Sequence, residues 1–458
     1  MSGVTSLHAL SMLPSSTLPL KNMLLSRFKG QSVKSVQTPA LFIDRAIFTK
    51  NCSNMHQRVK TWGVKFRAHV KTHKTAEGTR IQLRSDVLAS SAIVVSTLAE
   101  AWQVLNSELV TAGVVDDYTI QILYGLPVGP TKIAELAEMI RSLKGKATIR
   151  IMIDNIHQLR ALEAFGGKWS AFVKMDHGGK RAGLPLKSEA LRELITAILA
   201  SDSVHIHGFY CHAGDSYAST TPHQAASFLT AEMQTANDAA GLARSILDSR
   251  PELKPKYLLP FVLSVGSTPT AHATSLIDDQ DRAKPLAKEL THGELEIHAG
   301  NYPVCDLQQI HTGLVRVEDV AHRVLASVLS YYPGRAEDGT DEALCDAGAI
   351  AMSKDSGPSG GYGDVVPWLS NYSAPLGELD EPPRCEWRLG RCSQEHGILT
   401  RTQSAGRGAE LIPGQHLWII GQHACLTMAA HPWYYILDSS VDGGLETIQD
   451  VWVPWKGW

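Results

Sequence analysis

The segment VKFRAHVKTHKT, residues 64–75, concentrates basic side chains in a pattern typical of a β-strand. Alternation along a strand sends Arg67, His69 and Lys71 to one face and the apolar residues between them to the other. Such a face could belong to an edge strand exposed to solvent. It could equally hold an anionic cofactor beside a reactive lysine, and Lys71 would then be suited to covalent catalysis.

Two later segments could bind a phosphate group. Gly266, Ser267 and Thr268 follow one apolar run, and Gly300 and Asn301 follow another. Both segments offer unhindered backbone N–H groups, and the first adds hydroxyls at the entry to a helix, where the helix dipole favours an anion. These residue types also form ordinary turns. A phosphate site with a nearby lysine suggests pyridoxal phosphate, whose aldehyde reacts with a lysine amine.

The sequence GQHACLTM places His423 and Cys425 two positions apart. We interpret this apolar run as a strand, so both side chains should leave the same face. An imidazole and a thiolate suit a borderline-soft cation, with zinc as the first choice. An isolated pair is more often a packed histidine and a buried thiol. Two ligands would leave positions open for water or substrate, as in a catalytic metal site.

Eight short apolar segments recur between residues 64 and 300, most of them separated by helical patterns. They are VKFRAHV, AIVVS, IQILYG, TIRIMID, AFVKMD, VHIHGFYC, PFVLSVG and ELEIHAG. Strands alternating with helices over about 240 residues predict a parallel (β/α)8 TIM-like barrel, with a doubly wound open sheet as the competitor. Barrel enzymes often bind phosphate with the loops after strands 7 and 8, where both candidate phosphate segments fall. Lys71, at the end of the first strand, lies on the same rim.

The predicted secondary structure changes outside the barrel. The segment ALFID predicts an early strand, and the β-rich sequence after residue 314 predicts a second, all-β domain. We therefore expect an N-terminal extension over 1–37, the pyridoxal phosphate-binding barrel over 38–314, and a C-terminal β domain over 315–458. Residues 354–384 are dense in Gly, Pro and Ser and predict a long surface loop.

Composition excludes several classes of protein. The chain has 458 residues, 44% of them hydrophobic, and a formal charge of −3. This balance gives no electrostatic case for binding nucleic acid or an anionic membrane surface. Seven scattered cysteines are unlike a disulfide framework and favour a reducing compartment. We expect a cytoplasmic protein, with a mitochondrial location as the alternative because residues 1–37 contain no acidic side chain.

Taken together, the motifs resemble those of the eukaryotic D-serine dehydratases, in the fold-type III group of pyridoxal phosphate enzymes that includes alanine racemase and metal-dependent D-threonine aldolase. The most specific segments are RAHVKTHKT, GFYCHAGDSY, SVGSTPT, IHAGNY, SQEHG and HAC. The resemblance covers nearly the whole chain beyond the first 20 or so residues.

The resemblance assigns roles to the candidate residues. It implies that Lys71, rather than Lys74, is the Schiff-base lysine, and that His423 and Cys425 bind zinc. The aldolases have an aspartate at the second position, a harder ligand suited to manganese or magnesium, so the His-x-Cys pattern points to dehydration. The resemblance implies cofactor contacts from Tyr210, Tyr217, Thr268, Gly300 and Asn301. We add Ser267 to this set because it lies in the loop after the seventh predicted strand.

The expected reaction is the pyridoxal phosphate- and zinc-dependent elimination of water from D-serine, giving pyruvate and ammonia. Lys71 would act as the general base, and zinc would assist departure of the β-hydroxyl. Two alternatives share the fold, a D-threonine-type aldolase and a 3-hydroxyaspartate dehydratase; a third is a non-catalytic pyridoxal phosphate carrier. Enlarged segments at 271–290 and 355–384 leave the exact D-amino acid open. The resemblance implies a homodimer, with no nucleic-acid or membrane partner.

Overall fold

A computed structural model describes the protein over residues 16–111, 119–143, 145–256, 260–276, 289–358, 360–366, 386–402 and 410–458. The described chain forms two compact units. The first contains residues 52–300 and 455–458, and the second contains residues 17–51 and 301–454.

The first unit is a closed parallel barrel. Its eight strands are β2 (Lys65–His69), β3 (Ala92–Val95), β4 (Ile120–Pro127), β5 (Ala147–Ile153), β6 (Trp169–Asp176), β8 (Val204–Cys211), β9 (Phe261–Val265) and β10 (Gly293–Ala299). The last strand pairs with the first, Ile297 opposite Phe66, and the ring is completed where β5 pairs with β6. The barrel prediction is therefore confirmed, and β2 is an interior strand rather than an exposed edge. A short strand, β7 (Leu184–Pro185), extends the sheet beside β6.

Helices alternate with these strands. They are α3 (Ala76–Leu83), α4 (Leu98–Asn106), α5 (Glu108–Thr111), α6 (Ile133–Ser142), α7 (Ile156–Phe165), α8 (Glu189–Ala200), α9 (Pro222–Ser249) and α10 (Thr268–Ala273). Several begin at a hydroxyl side chain that accepts a backbone N–H; Ser188 caps α8 and Thr221 caps α9 in this way. In α8, Leu191, Leu194 and Ile198 recur at helical spacing and are buried, which explains why this segment forms a helix against the barrel.

The second unit is built on a nine-stranded sheet. Its strands are β1 (Ala40–Asp44), β11 (His322–Tyr332), β12 (Glu342–Cys345), β13 (Gly363–Val366), β14 (Trp387–Cys392), β15 (Gly397–Arg401), β16 (His416–Gly421), β17 (Tyr434–Leu437) and β18 (Asp450–Trp452). All pairs are antiparallel except that of β1 with β17. The remaining helices are α1 (Leu18–Phe28), α2 (Arg45–Trp62), α11 (Leu307–His311), α12 (Ala349–Met352) and α13 (Ala424–Ala430).

The unit boundaries differ from those expected from sequence. The segment ALFID is a strand as predicted, but it pairs with β11 and β17 of the second unit. Its Phe42 packs edge-on against Trp418 and is stacked with Tyr435, both ring centroids lying 5.2 Å away. Leu24 and Val33 join the same core, so much of the expected N-terminal extension is part of this unit. A strand pattern shows that a strand forms but not which sheet it joins, which is why the boundaries at 37 and 314 were misplaced.

The segment over 354–384 was expected to be a long surface loop. The predicted surface loop over 354–384 contains strand β13, which pairs with β16, so that part of the prediction is wrong. The rest of the loop, from residue 367 to 384, lies outside the described residues, as do residues 277–288 of the enlarged connection. Among the described helices, none combines the length and the apolar character that crossing a membrane requires.

Candidate functional site

Lys71 lies two residues beyond the end of β2, in a turn that is fixed on several sides. The amide of Lys74 donates to Val70 O at 2.9 Å, and the amide of Trp455 donates to Lys74 O at 2.7 Å. The amine of Lys74 forms an ion pair at 3.0 Å with Glu100, whose side chain is fully buried. Because Lys74 is committed to this ion pair, the geometry favours Lys71 as the reactive amine.

Arg67 serves the barrel interior rather than a ligand. Its guanidinium is 1% exposed and binds both oxygens of Glu296, at 2.7 and 3.1 Å. It also donates to two backbone carbonyls of neighbouring strands. A buried, bidentate pair of this kind is costly to break, because removing one partner leaves an uncompensated charge. Of the basic residues predicted to share one face, Arg67 is therefore structural and lies inside the barrel, whereas Lys71 lies at its rim.

Two histidines near this rim have tautomers fixed by their neighbours. Ser264 Oγ donates to Glu296 Oε1 at 2.8 Å, so it accepts from His298 Nδ1 at 3.2 Å. The Nδ1 of His212 donates to Gly266 O at 2.7 Å. Burial, reinforced by nearby lysines, lowers the pKa of both imidazoles well below the usual value. Each ring is therefore neutral, and each Nε2 is a buried acceptor without a partner among the described residues.

Tyr210, a predicted cofactor contact, packs inside the same cluster. Its ring stacks on His298 with centroids 4.1 Å apart, and the amine of Lys174 lies 4.6 Å from its centre. Burial lowers the pKa of Lys174 to about 8 and raises that of Tyr210, so the phenol stays neutral. The sequence reasoning missed Lys174, His212 and His298, although the two histidines stand inside the motifs GFYCHAGDSY and IHAGNY.

The first candidate phosphate segment, residues 266–270, is a turn held by hydrogen bonds within it. Gly266 has φ +138°, and a Cβ there would come within 2.2 Å of the His298 carbonyl oxygen, so only glycine fits. Ser267 caps α10, and its amide donates to the Thr270 hydroxyl at 2.7 Å. Tyr217 OH accepts from the Thr268 amide at 3.4 Å. The structure thus brings together three of the predicted cofactor contacts.

A buried carboxylate braces this turn from α9. Glu232 Oε1 accepts from the Ala213 amide at 2.5 Å, and Thr270 and the Gly266 backbone lie close enough to favour the charged form of the carboxylate. Burial outweighs these contacts and raises the pKa of Glu232 to about 8. Within the amphipathic pattern of α9, nothing in the sequence marked Glu232 as different from a surface acid.

The second phosphate segment begins beside Lys71. A Cβ on Gly300 would lie 3.4 Å from Lys71 Cε and 3.1 Å from His69 Cβ, so the glycine leaves room at the lysine. Asn301 is buried in the second unit, and its amide donates to Asp306 Oδ2 at 2.5 Å. The rim of the barrel therefore carries a lysine, two glycine turns and two imidazole acceptors, a set that fits an anionic aromatic cofactor with hydrogen-bond donors.

The strand interpretation of His423 and Cys425 is wrong. Strand β16 ends at Gly421, His423 is the N-cap of α13, and Cys425 lies in the first turn of that helix. The apolar run after Gly421 was too short for periodicity to separate strand from helix. The two side chains nevertheless lie close to each other, and Cys425 raises the pKa of His423.

Asp355 completes the surroundings of His423, and sequence reasoning missed it. Its Oδ2 lies 2.7 Å from His423 Nδ1. Burial lowers the pKa of His423, but contact with Cys425 and the charges of Asp306 and Asp355 raise it to about 9. A histidine that binds a metal usually gives its other ring N–H to a carboxylate, so this donor set fits zinc. Within the described part of the chain, no group of three or more His, Cys, Asp or Glu side chains could hold a metal.

Comparison with known proteins agrees with this geometry. The family model for the alanine racemase N-terminal domain matches residues 43–250, and that for a putative serine dehydratase domain matches residues 321–437. D-serine dehydratase of Schizosaccharomyces pombe is 42% identical over 447 residues, 96% of each chain. The Saccharomyces cerevisiae enzyme of that name is 35% identical, covering 95% of this chain and 99% of its own.

A solved structure shares the whole architecture. It is a cysteine-to-alanine variant of D-threo-3-hydroxyaspartate dehydratase in the metal-free form, with a TM-score of 0.72 and 29% identity, covering 93% of this chain and 100% of that chain. Identity of 42% over nearly the full length of both proteins leaves no doubt about kinship. The chain is therefore an enzyme, a lyase of the D-serine dehydratase family with the fold-type III architecture.

Proposed function

We propose that the enzyme dehydrates D-serine to pyruvate and ammonia, using pyridoxal phosphate and zinc. The observation that carries this proposal is the position of His423 beside Cys425, with its Nδ1 hydrogen-bonded to Asp355. An imidazole with a thiolate is a zinc donor set rather than a magnesium or manganese one. Its two donors leave coordination positions open for a substrate hydroxyl.

The residues at the barrel rim would hold the cofactor. Lys71 would carry it covalently, and the turns at 266–270 and 300–301 would surround its phosphate with backbone N–H groups and hydroxyls. The Tyr217 phenol lies beside the Thr268 amide, where it can also reach a phosphate oxygen. When bound, pyridoxal phosphate supplies an electron-withdrawing ring that stabilises negative charge at the substrate Cα.

Lys71 would then move the proton. With a substrate bound, the Lys71 amine would act as general base toward the substrate Cα–H bond. The neighbouring imidazoles of His212 and His298 have pKa values well below the usual one, so they are weaker bases than a lysine amine and do not compete for this proton. The turn that fixes Lys71 holds its backbone in place while the side chain moves.

His423 and Cys425 would hold the zinc ion, which supplies positive charge to the departing hydroxyl. Lewis-acid activation would assist this step because hydroxide is a poor leaving group, and a bound metal can lower the pKa of coordinated water from about 15.7 to about 7. Asp355 would keep Nδ1 of His423 protonated and its Nε2 directed to the metal. In the metal-free D-threo-3-hydroxyaspartate dehydratase structure the substituted residue is likewise a cysteine.

The rival activities are separable in one assay. Purified enzyme supplied with pyridoxal phosphate and zinc is given D-serine, D-threonine or D-threo-3-hydroxyaspartate, and pyruvate, glycine and oxaloacetate are measured. We expect pyruvate from D-serine as the main product, since the D-serine dehydratases share 42% and 35% identity with this chain. Glycine and an aldehyde without pyruvate would instead identify an aldolase.

A non-catalytic cofactor carrier is disfavoured by the second unit. A carrier needs only the barrel, whereas this chain has a further nine-stranded sheet and a match to the serine dehydratase domain over residues 321–437. We also propose that the enzyme is a homodimer, as the resemblance implies. Sedimentation velocity tests this, because a species with the mass of one chain would contradict it.

A further inference from the structure

Asp306 is a fully buried carboxylate that joins three segments of the second unit. Its Oδ2 accepts a hydrogen bond from the side-chain amide of Asn301 at 2.5 Å and another from the backbone N–H of Ala424 at 2.8 Å. Its Oδ1 accepts from the backbone N–H of Gln309 at 3.0 Å and so caps α11. The carboxylate is 0% exposed, so all three contacts form away from water.

One of these contacts reaches the metal pair, His423 and Cys425. Ala424 stands between the two residues and is the first residue of α13. His423, the N-cap of that helix, makes no side-chain cap hydrogen bond. The N–H groups at a helix start need an acceptor, and here Asp306 supplies it from 118 positions away in sequence.

Because Asp306 accepts the N–H at the start of α13, the imidazole of His423 does not have to cap the helix. An N-cap residue normally uses its own side chain to satisfy the helix, but His423 uses its side chain for Asp355 and Cys425. The cap that Asp306 provides therefore allows His423 and Cys425 to stand at the start of a helix. It also fixes the backbone on which both donor atoms depend.

We propose that Asp306 is a positioning residue for the metal pair: its carboxylate holds the first turn of α13 so that the imidazole of His423 and the thiol of Cys425 converge. The inference rests on the proposed function, in which these two side chains bind zinc. Asn301, a predicted cofactor contact, donates to the same carboxylate and helps to orient it.

An asparagine cannot replace this carboxylate. Three N–H donors, from Asn301, Gln309 and Ala424, point at Asp306 from two sides. An amide has one oxygen and one NH2 group, so in either orientation the NH2 group faces at least one donor. Asp306→Asn therefore keeps the volume of the side chain but misplaces the helix start.

The test is a metal titration of the cofactor-free protein. Zinc affinity is measured by competition with a chromophoric chelator, and cobalt is added separately to record the thiolate-to-metal absorption band. We expect Asp306→Asn to lose about 10- to 100-fold in zinc affinity, as is typical when a residue supporting a metal ligand is changed. The cobalt band should weaken or shift, because it depends on how Cys425 meets the metal.

Asp44→Asn is the matched control. Asp44 is also buried, at 2% exposure, and it caps α2 by accepting the Ala46 amide at 2.9 Å. It contacts neither member of the metal pair in the hydrogen bonds described. This variant should keep zinc affinity within about twofold of the wild-type protein, because an asparagine can still cap α2 and this cap does not contact the metal pair.

The outcomes separate the two proposals. If wild-type protein binds zinc no better than Cys425→Ala, the proposed metal site itself is wrong. If wild-type protein binds zinc and Asp306→Asn binds it equally well with an unchanged cobalt band, the role of Asp306 is refuted. Should Asp306→Asn not fold, Asp306→Glu is used: it keeps the charge but displaces the carboxylate, and wild-type zinc affinity in that variant would also refute the role.

Discussion

The Nδ1 atom of His423 lies 2.7 Å from Oδ2 of Asp355, a residue 68 positions earlier in the chain. Because the carboxylate only accepts, Nδ1 carries the hydrogen, and Nε2 is the ring atom that would bind a metal once its own proton is lost. A carboxylate in this position also makes the imidazole a stronger donor toward the metal. This contact supports the proposal that His423 and Cys425 bind zinc.

Replacing Asp355 by alanine should weaken zinc binding without unfolding the protein. The carboxylate is 41% exposed, so its loss costs little packing. We expect about a 10- to 100-fold lower zinc affinity, measured by chelator competition. Asp338→Ala, which removes an exposed carboxylate of a turn, is the control and should leave affinity unchanged. Equal affinity in both variants would show that the carboxylate does not support the metal ligand.

Borohydride reduction of the enzyme loaded with pyridoxal phosphate should attach the cofactor to Lys71. Lys74 is held at 3.0 Å by the buried Glu100 and should remain unlabelled. Peptide mapping by mass spectrometry distinguishes the two lysines. Label on Lys74 would mean that the register of the turn after β2 has been misassigned.

Lys74 should matter for stability instead. Lys74→Ala leaves the fully buried carboxylate of Glu100 without its cation, and we expect a loss of about 1–3 kcal/mol in the free energy of unfolding. Lys65→Ala, which removes an ion pair with the half-exposed Glu294, is the control and should cost no more than about 1 kcal/mol. Urea unfolding of both variants gives the comparison; equal losses would contradict the structural role of Lys74.

Glu232 predicts a specific pH dependence. Burial raises its pKa in the folded protein to about 8, against 4.5 in the unfolded chain. Between these values the unfolded chain has lost the proton and the folded protein keeps it, so this group lowers stability as pH rises from about 4.5 to about 8. Glu232→Gln removes the titration. Urea unfolding of the cofactor-free proteins should show the wild type losing stability relative to Glu232→Gln between pH 5.5 and 8; parallel curves would contradict this.

The barrel was predictable because each of its strands is a short apolar run between helical patterns. The turns at 266–270 and 300–301 were chosen as candidate phosphate sites from their place after the seventh and eighth strands. Strand β1 was recognised as a strand, but its partners β11 and β17 lie about 280 to 395 positions later in the chain. No local pattern reports such pairings, so the unit boundaries could not be found.

The candidate site shows the same limit. Lys71, His423 and Cys425 stood out because each is a reactive residue at a marked position. Asp355, Asp306 and Glu232 did not, since a single acid in a loop or on a helix looks like a solvated surface residue. Their roles arise from burial and from contacts between distant segments, which only the folded chain reveals. The helix at His423 was missed because seven residues are too few to establish a period.

As proposed, dehydration of D-serine by this enzyme requires both a pyridoxal phosphate-bearing lysine and a zinc ion. The most direct measurement is pyruvate release from D-serine by enzyme stripped of metal with a chelator, before and after zinc is returned. We expect the stripped enzyme to keep the visible absorption of bound pyridoxal phosphate but to release almost no pyruvate, and we expect zinc to restore the rate. Full pyruvate release by the stripped enzyme would contradict this proposal.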